Sequence, residues 1–386
     1  MNDRSGIRTA QSCAPDPRDA VEEFFAGVAQ PDMSFVVFFC SSAYDRDALA
    51  AGMARRFAGV QVIGCTTAGE IGPAGCLDGS LTGVSFSAGA CTAVTRSIEG
   101  LQRFEIGDGQ AVARELLDEL DDVAPARPDR RRFAFLLVDG LSTREELLAY
   151  SVQEALGEIP VVGGSAGDGL SFASTHVYVD GRFLSDGAVL ALISTPLRVK
   201  TFKTQHFVPT EERLVVTEAD PSRRVVKEIN GLPAAEEYAR LLGVRSGDLA
   251  PIHFAASPVV VLIDGANYVR SIQKADPDGS LTFYCAIERG VVLREATGMD
   301  LITNLEQALA RVRAEVGEPE LVLACDCILR KLEIAETGLG TAVNAILRRH
   351  NAVGFNTYGE QFCGVHVNQT LTGVALGPGP TEAGDA

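Results

Sequence analysis

Basic charge is scarce in this chain: 34 lysines and arginines stand against 51 aspartates and glutamates, a formal charge of −17 with a pI near 4.8. Nucleic acid and anionic membrane surfaces attract basic proteins, so neither is expected as a partner. Long apolar runs are missing as well. No stretch has the uninterrupted length a membrane span needs, and the polar segment Met1 to Asp19 lacks the apolar core of a secretory signal. The nine cysteines are odd in number, and Cys40, Cys65, Cys325 and Cys327 fall in or beside expected strands. That pattern supports no disulfide framework. It fits reduced, buried thiols in a cytoplasmic protein.

What is present is a repeated phrase. An apolar pair, a glycine, small hydroxyl or amide residues, a second glycine and an acid occur at Val62–Glu70, Val161–Asp168 and Ala352–Glu360. Each follows an apolar run of strand length, Phe35–Cys40, Phe133–Val138 and Leu321–Cys325, and a segment of helical period. From Cys40 to Gly64 is 24 positions, as is Asp139 to Gly163, and from Cys325 to Gly354 is 29. A strand–helix–strand unit used three times gathers loops at strand ends, where α/β proteins hold ligands.

At 386 residues with 46% apolar composition, the chain is long enough for two or three domains. The expected class is α/β: two domains with mixed sheets built on the repeated units, the second richer in antiparallel strands. A tail with a short helix (Asp16–Ala29) occupies 1–32, a first domain 33–231, a second 232–377 and a tail 378–386. Within the first domain, Arg46–Phe57 and Gly109–Asp121 are expected helices, Ser80–Phe86 and Cys91–Ile98 a strand pair, and Asp180–Gly181 a hairpin turn. Beyond Asn230–Gly231, Pro233 opens a helix, further short strands follow, Thr303–Val316 is an amphipathic helix, and Val365–Leu376 is the last strand.

These residues carry a resemblance. Val62–Ile71 after Val36–Ser41 resembles the N-terminal FIST domain, and Val215–Ala219, Ile229–Ala234 and Gly354–Thr370 resemble the C-terminal FIST domain. FIST proteins are bacterial ligand-sensing modules that work with histidine kinases or cyclic-dinucleotide enzymes. Gln205–Pro209, Glu360–Thr370 and the two-domain layout are similar to NosP, the haem-binding, nitric-oxide-sensing group of that family. The resemblance implies a cytoplasmic sensor rather than an enzyme, carrying haem b with nitric oxide as its ligand. Its partner would be a histidine kinase, a diguanylate cyclase or a phosphodiesterase, and a homo-oligomer is compatible with it.

A haem iron needs a proximal donor, usually a neutral imidazole, in an apolar pocket. Of the five histidines, His206 ranks first, at a strand end before Phe207–Pro209, and His366 second, beside the third phrase. His350 reads as a helix C-terminal cap, His253 as a packing residue at a strand start, and His176 lies in a hairpin strand. No Cys-x-x-Cys-His is present, which excludes covalent c-type attachment. Thr66, Thr67, Glu70, Asn356, Thr357, Glu360, Asn368 and Gln369 supply hydroxyls, carboxylates and amides to one region, the polar minority of a ligand pocket. Such clustering equally suits a small polar metabolite such as an amino acid, without haem. Glycine's tight strand exits give the phrases a purely structural account as well. Gly163–Gly167 also satisfies G-x-S-x-G, which makes a hydrolase using Ser165 a third reading, although Asp168–Gly169 signals a turn where a nucleophile elbow needs a helix. Cys325–Asp326–Cys327 lacks the second ligand pair of a zinc site and reads as core thiols.

Overall fold

The computed structural model describes residues 6–263 and 265–379. Three units follow one order: edge strand, helix, strand, helix, strand, hairpin, last strand. The first unit is β1 (Ile7–Ser12), α1 (Pro17–Val28), β2 (Met33–Ser41), α2 (Arg46–Arg56), β3 (Gln61–Thr67), β4 (Glu70–Gly72), β5 (Gly75–Leu77) and β6 (Leu81–Ser87). The second is β7 (Thr92–Glu99), α3 (Ile106–Val123), β8 (Arg131–Val138), α4 (Glu145–Leu156), β9 (Val161–Ser165), β10 (Val177–Val179), β11 (Arg182–Leu184) and β12 (Gly187–Thr195). The third opens with β13 (Arg198–Thr204) and is then interrupted. The interruption holds β14 (Phe207–Asp220), β15 (Val225–Ile229), β16 (Leu232–Pro233), α5 (Ala234–Leu242), α6 (Pro251–Ala256), β17 (Val259–Ile263), β18 (Ala266–Arg270), β19 (Ile272–Ala275), β20 (Leu281–Phe283) and β21 (Val292–Gly298). The third unit resumes with α7 (Leu301–Val316), β22 (Leu321–Cys327), α8 (Ile328–Glu336), α9 (Gly340–Arg349), β23 (Ala352–Thr357), β24 (Glu360–Phe362), β25 (Val365–Val367) and β26 (Leu371–Gly377).

Each unit builds one sheet and lends its hairpin to another. The orders are β1-β6-β2-β3-β10-β11, β7-β12-β8-β9-β24-β25 and β13-β26-β22-β23-β4-β5. The first unit's hairpin completes the third sheet, the third unit's the second sheet, and the second unit's the first, so the exchange closes a ring. The two inner strands of each unit run parallel (β2 with β3, β8 with β9, β22 with β23). They are buried on both faces, which is why they read as continuous apolar runs. The faces turned inward share one core, where the Phe39 ring stacks on Phe355 at 4.6 Å and lies 6.5 Å from Phe135. Helices cover the outside of each sheet with their own apolar layers. The inserted strands form a fourth, antiparallel sheet with a separate core beneath α5 and α6.

The first glycine of each phrase has a direct cause. A Cβ on Gly64, Gly163 or Gly354 would stand 2.6, 1.8 or 1.8 Å from the carbonyl oxygen of Phe38, Leu136 or Ala324 on the adjoining parallel strand. No side chain fits there. The same register makes Val138, not Asp139, the counterpart of Cys40, so the equal spacing of 24 compares unlike positions.

The α/β class with mixed sheets is as expected, and several local expectations are corrected. The tail contains β1, paired antiparallel along β6. Ser80–Phe86 and Cys91–Ile98 are strands of different sheets, β6 on β2 and β7 on β12. Val365–Leu376 is two strands, β25 and β26, again in different sheets. As for the boundary at position 231, it lies in the β15–β16 turn of the fourth sheet. In space the chain leaves the ring after Thr204 and returns at Leu301. Residues 1–5 and 380–386 of the expected tails lie outside the described residues.

Candidate functional site

The three phrases lie against one another at the ends of the parallel strands and are tied backbone to backbone. Ala68 N–H donates to Asn356 O (3.0 Å) and Asn356 N–H to Gly69 O (2.7 Å). Ser165 N–H donates to Gly359 O (2.8 Å), and Gly167 N–H to Thr66 O (2.9 Å) closes the triangle. Two phrases carry the same side-chain staple. Thr67 Oγ1 donates to Glu70, whose other oxygen accepts from Ser80 N–H (2.8 Å) and Oγ (2.9 Å). Thr357 Oγ1 donates to Glu360, whose other oxygen accepts from Thr370 Oγ1 (2.5 Å) and N–H (3.3 Å). Burial pushes both carboxyls up, that of Glu360 to about 8. Thr66 Oγ1 accepts from His176 N–H (3.0 Å), and Asn356 Nδ2 reaches Asp326 O (3.5 Å). Six of the eight expected pocket residues therefore hold the exit turns together.

His206 is placed where the sequence suggested, between β13 and β14, but with both ring nitrogens engaged. Nε2 lies 2.7 Å from Glu333 Oε1 and Nδ1 lies 3.3 Å from a guanidinium nitrogen of Arg330. Arginine only donates, so Nδ1 accepts and Nε2–H faces the carboxylate. Arg330, 1% exposed, is itself paired with Asp326 at 2.7 Å. No coordination position is left on this imidazole. His350 caps α9, and burial, then Arg349, pushes its pKa down. His253 belongs to α6 rather than a strand, and its Nδ1 accepts from Ala250 N–H at 3.0 Å.

His176 Nδ1 and His350 Nδ1 are buried without a partner, and at His366 and Asn368 three such atoms lie together. Gln361 donates through Nε2 to Ser165 Oγ (2.9 Å) and turns Oε1 to His366 Nδ1 (2.9 Å). The imidazole proton is thereby placed on Nδ1, and Nε2 presents a lone pair. Burial pushes the pKa of His366 down to about 4, so the ring is neutral. Nε2 is buried without a partner among the described residues, and so are both amide atoms of Asn368, which is 0% exposed. His366 Nε2 and Asn368 Nδ2 converge: both lie within 3 Å of the point where a Cβ on Gly359 would stand. Glu146, Arg224 and Arg270 act on the charge of His366, and Arg270 keeps one buried guanidinium nitrogen unpartnered. The fourth sheet covers this niche. Gln369, the eighth expected residue, ties it on by accepting from Ser271 Oγ (3.1 Å) and donating to Ala255 O (2.7 Å).

The ring repeats the arrangement once in the open. Asp78 stands two residues before Ser80 as Asn368 stands two before Thr370. It borders a cleft of about 420 Å³ lined by Ser41, Ser42, Thr67, Glu70 and Lys331. Lys331 Nζ donates to Ala68 O (2.7 Å) and to the Asp78 carboxylate. Sequence reasoning missed Lys331, Glu145, Glu146, Arg224 and Arg270. The repeat continues past the phrases, Leu77–Leu81 against Val367–Leu371, but it marks only Asp78 and Asn368.

The expected haem ligand is not available in this arrangement. His206 has no free nitrogen. His366 has one, but it faces Gly359 and Asn368, and the cleft of about 420 Å³ contains no histidine, cysteine, methionine or tyrosine. Among the described residues no cluster of three histidine, cysteine or acidic side chains could hold a metal, and no helix is long and apolar enough to cross a membrane. Cys325 and Cys327 are buried core thiols. Ser165 is buried, accepts from Gln361, and ends a strand that no helix follows, so no nucleophile elbow is built.

Family comparison agrees with this architecture. Residues 34–232 match the FIST N domain and residues 234–363 the FIST C domain. The chain belongs to the FIST family. An uncharacterized protein of Methanocaldococcus jannaschii is similar to it, 23% identical over 88% of this chain and 73% of its own. Membership makes this FIST protein a ligand-binding sensor of signal transduction, and the two family regions meet inside the inserted sheet.

Proposed function

We propose that this FIST protein senses a small polar metabolite, of the size and polarity of a free amino acid, in the niche of His366 and Asn368. One observation carries the reading: a fully buried asparagine whose donor and acceptor both lack partners, beside an imidazole lone pair in the same condition. Each such buried group costs roughly 1–3 kcal/mol while it is unpaired. A ligand bearing an ammonium and a carboxylate supplies the missing partners. His366 Nε2, Asn368 Oδ1 and Glu146 accept, while Asn368 Nδ2 and Arg270 donate. The likeness to other FIST proteins supports a histidine kinase or cyclic-dinucleotide enzyme as the receiver of the signal, in the cytoplasm.

Haem-based sensing of nitric oxide is the second reading, and it rests on the His366 lone pair. Thermal unfolding with the standard amino acids and small dicarboxylates, followed by visible spectra after haem addition, separates the two. A binder at a hundredfold excess over its Kd stabilises by about 2.7 kcal/mol, which raises Tm by several degrees. The polar-ligand reading expects that rise and no Soret band. A Soret band that shifts with nitric oxide, with no response to the panel, reverses the order.

A further inference from the structure

His366 and Asn368 are buried, and the neighbouring Gln369 ties the inserted sheet to the ring beside them. We propose that this sheet is a hinged lid, held shut over His366 and Asn368 by a latch at Arg224. Only the lid's purpose rests on the ligand reading; its mechanics do not.

The hinge is a single place. The chain enters the sheet at Phe207 and leaves at Gly298, and these residues are paired with each other, with Met299 N–H donating to His206 O at 2.8 Å. Both crossings are therefore side by side. The ring grips them there through His206, held by Glu333 and Arg330 of α8, and through Asn304 Nδ2, which donates to Gln205 O (3.2 Å). Among the described residues, the strands of the inserted sheet pair only with one another. The sheet can swing about this joint without breaking any strand pairing.

The latch stands at the other end of β14, whose 14 residues separate it from the hinge. Arg224 is buried and held at φ +55°, a left-handed backbone uncommon outside glycine. One guanidinium nitrogen donates to Glu145 and Glu146, each at 2.6 Å, and another to Tyr284 O at 2.5 Å. Glu146 accepts Ala286 N–H with its other oxygen (2.6 Å). Glu145 and Glu146 begin α4 of the ring, while Arg224, Tyr284 and Ala286 belong to the lid. Between hinge and latch the seam is mixed: Gln369 on Ser271 and Ala255, Lys203 Nζ over the Tyr268 ring at 4.3 Å, and the Tyr284 ring 5.9 Å from Phe172. Opening separates this edge and one small apolar cluster, in which Ala255 and Tyr284 meet Cys327, Ile328 and Leu329, and leaves the cores of ring and sheet intact, so it costs less than unfolding the ring. A ligand reaching Glu146 or Arg270 would also touch the latch, which links occupancy to lid position.

Two native thiols on one strand test the lid. Cys327 lies beneath Ala255 and Tyr284 at the seam, whereas Cys325 lies in the central core of the ring. N-ethylmaleimide labelling of each, followed by mass spectrometry of the full chain, reads lid opening against ring opening. In Arg224→Met, Cys327 should label at least tenfold faster than in wild type while Cys325 is unchanged. A Glu145→Gln, Glu146→Gln double variant breaks the latch from the ring side and guards against misfolding of the first. Cys327 no faster than in wild type in both variants, or Cys325 and Cys327 rising together in both, overturns the lid. No response of wild type to the amino acid panel, with Cys327 still answering to the latch, ends the ligand reading and leaves the lid standing.

Discussion

The open cleft at Asp78 and the covered niche at Asn368 are the same piece of ring built twice, with different endings. Both follow a threonine–glutamate–hydroxyl staple, and both face a glycine at the preceding turn. In the cleft the position is a carboxylate, 75% exposed, that answers Lys331 from the same chain. In the niche it is an uncharged amide, 0% exposed, with no partner for either atom among the described residues. The difference is the inserted sheet. Where the sheet is absent, water solvates a charge and the site satisfies itself. Where it lies on top, a charge without a counter-ion would be costly, the residue is neutral, and the unmet hydrogen bonds await another molecule.

The sharpest way to break this comparison is on α8, which borders both regions with consecutive residues. Arg330 faces the hinge, 1% exposed, and Lys331 faces the cleft, 30% exposed. Arg330→Ala strands Asp326 without its buried partner and should cost about 3–5 kcal/mol in denaturant unfolding. Lys331→Ala removes a partly exposed pair and should cost under about 1 kcal/mol. Equal losses would mean that the hinge network is no more buried in solution than the cleft.

The staples sharpen the comparison through pH. The carboxyl of Glu360 titrates near 8 in the folded chain, against about 4.3 when unfolded. A raised folded pKa means that the folded state holds the proton more tightly. That stability is fully present below about pH 4.3 and is lost as pH rises through 8. Wild type should therefore weaken between pH 5 and 8, and Glu360→Gln, which stays neutral, should flatten that slope. His366 acts in the opposite sense. Its pKa falls to about 4 on folding, so its contribution is present above pH 6.5 and lost as pH falls through 4. His366→Leu should lessen the acid lability that wild type shows over that window. Urea midpoints across pH read both, and a Glu360→Gln profile parallel to wild type would contradict the first.

The smallest effect belongs to the cleft's own acid. Asp78→Ala should shift stability by less than about 1 kcal/mol and leave any response to amino acids unchanged. A lost response there would move the ligand from the covered region to the open one.

Much of the ring was legible in the sequence because it rests on local signals. Buried parallel strands read as apolar runs, Asp16, Asp45 and Asp300 cap helices that begin beside them, and the Asp180–Gly181 turn has the positive φ at both residues that its hairpin needs. Hairpin exchange was not legible. Periodicity marks a strand but not its partner, and three-residue strands such as β4 and β24 are too short to show a period. The partners of the site residues were not legible for a related reason. His206 was judged by its neighbours in sequence, while the groups that occupy its nitrogens lie 124 and 127 residues away on α8. Nor does the sequence reveal that Ser80 and Thr370 return to bind Glu70 and Glu360. Asn368 owes its condition to a sheet inserted between Thr204 and Leu301, far from it in the chain.

The account depends most directly on Asn368, and unfolding of Asn368→Leu with and without the amino acid panel tests it. Because neither amide atom is bonded, an apolar side chain of similar volume should leave the free protein as stable as wild type or more so, by up to about 1 kcal/mol, while abolishing the ligand-induced rise in Tm. A loss of more than about 2 kcal/mol in the free protein, with the ligand response intact, would show that Asn368 is a structural residue and that the niche binds nothing.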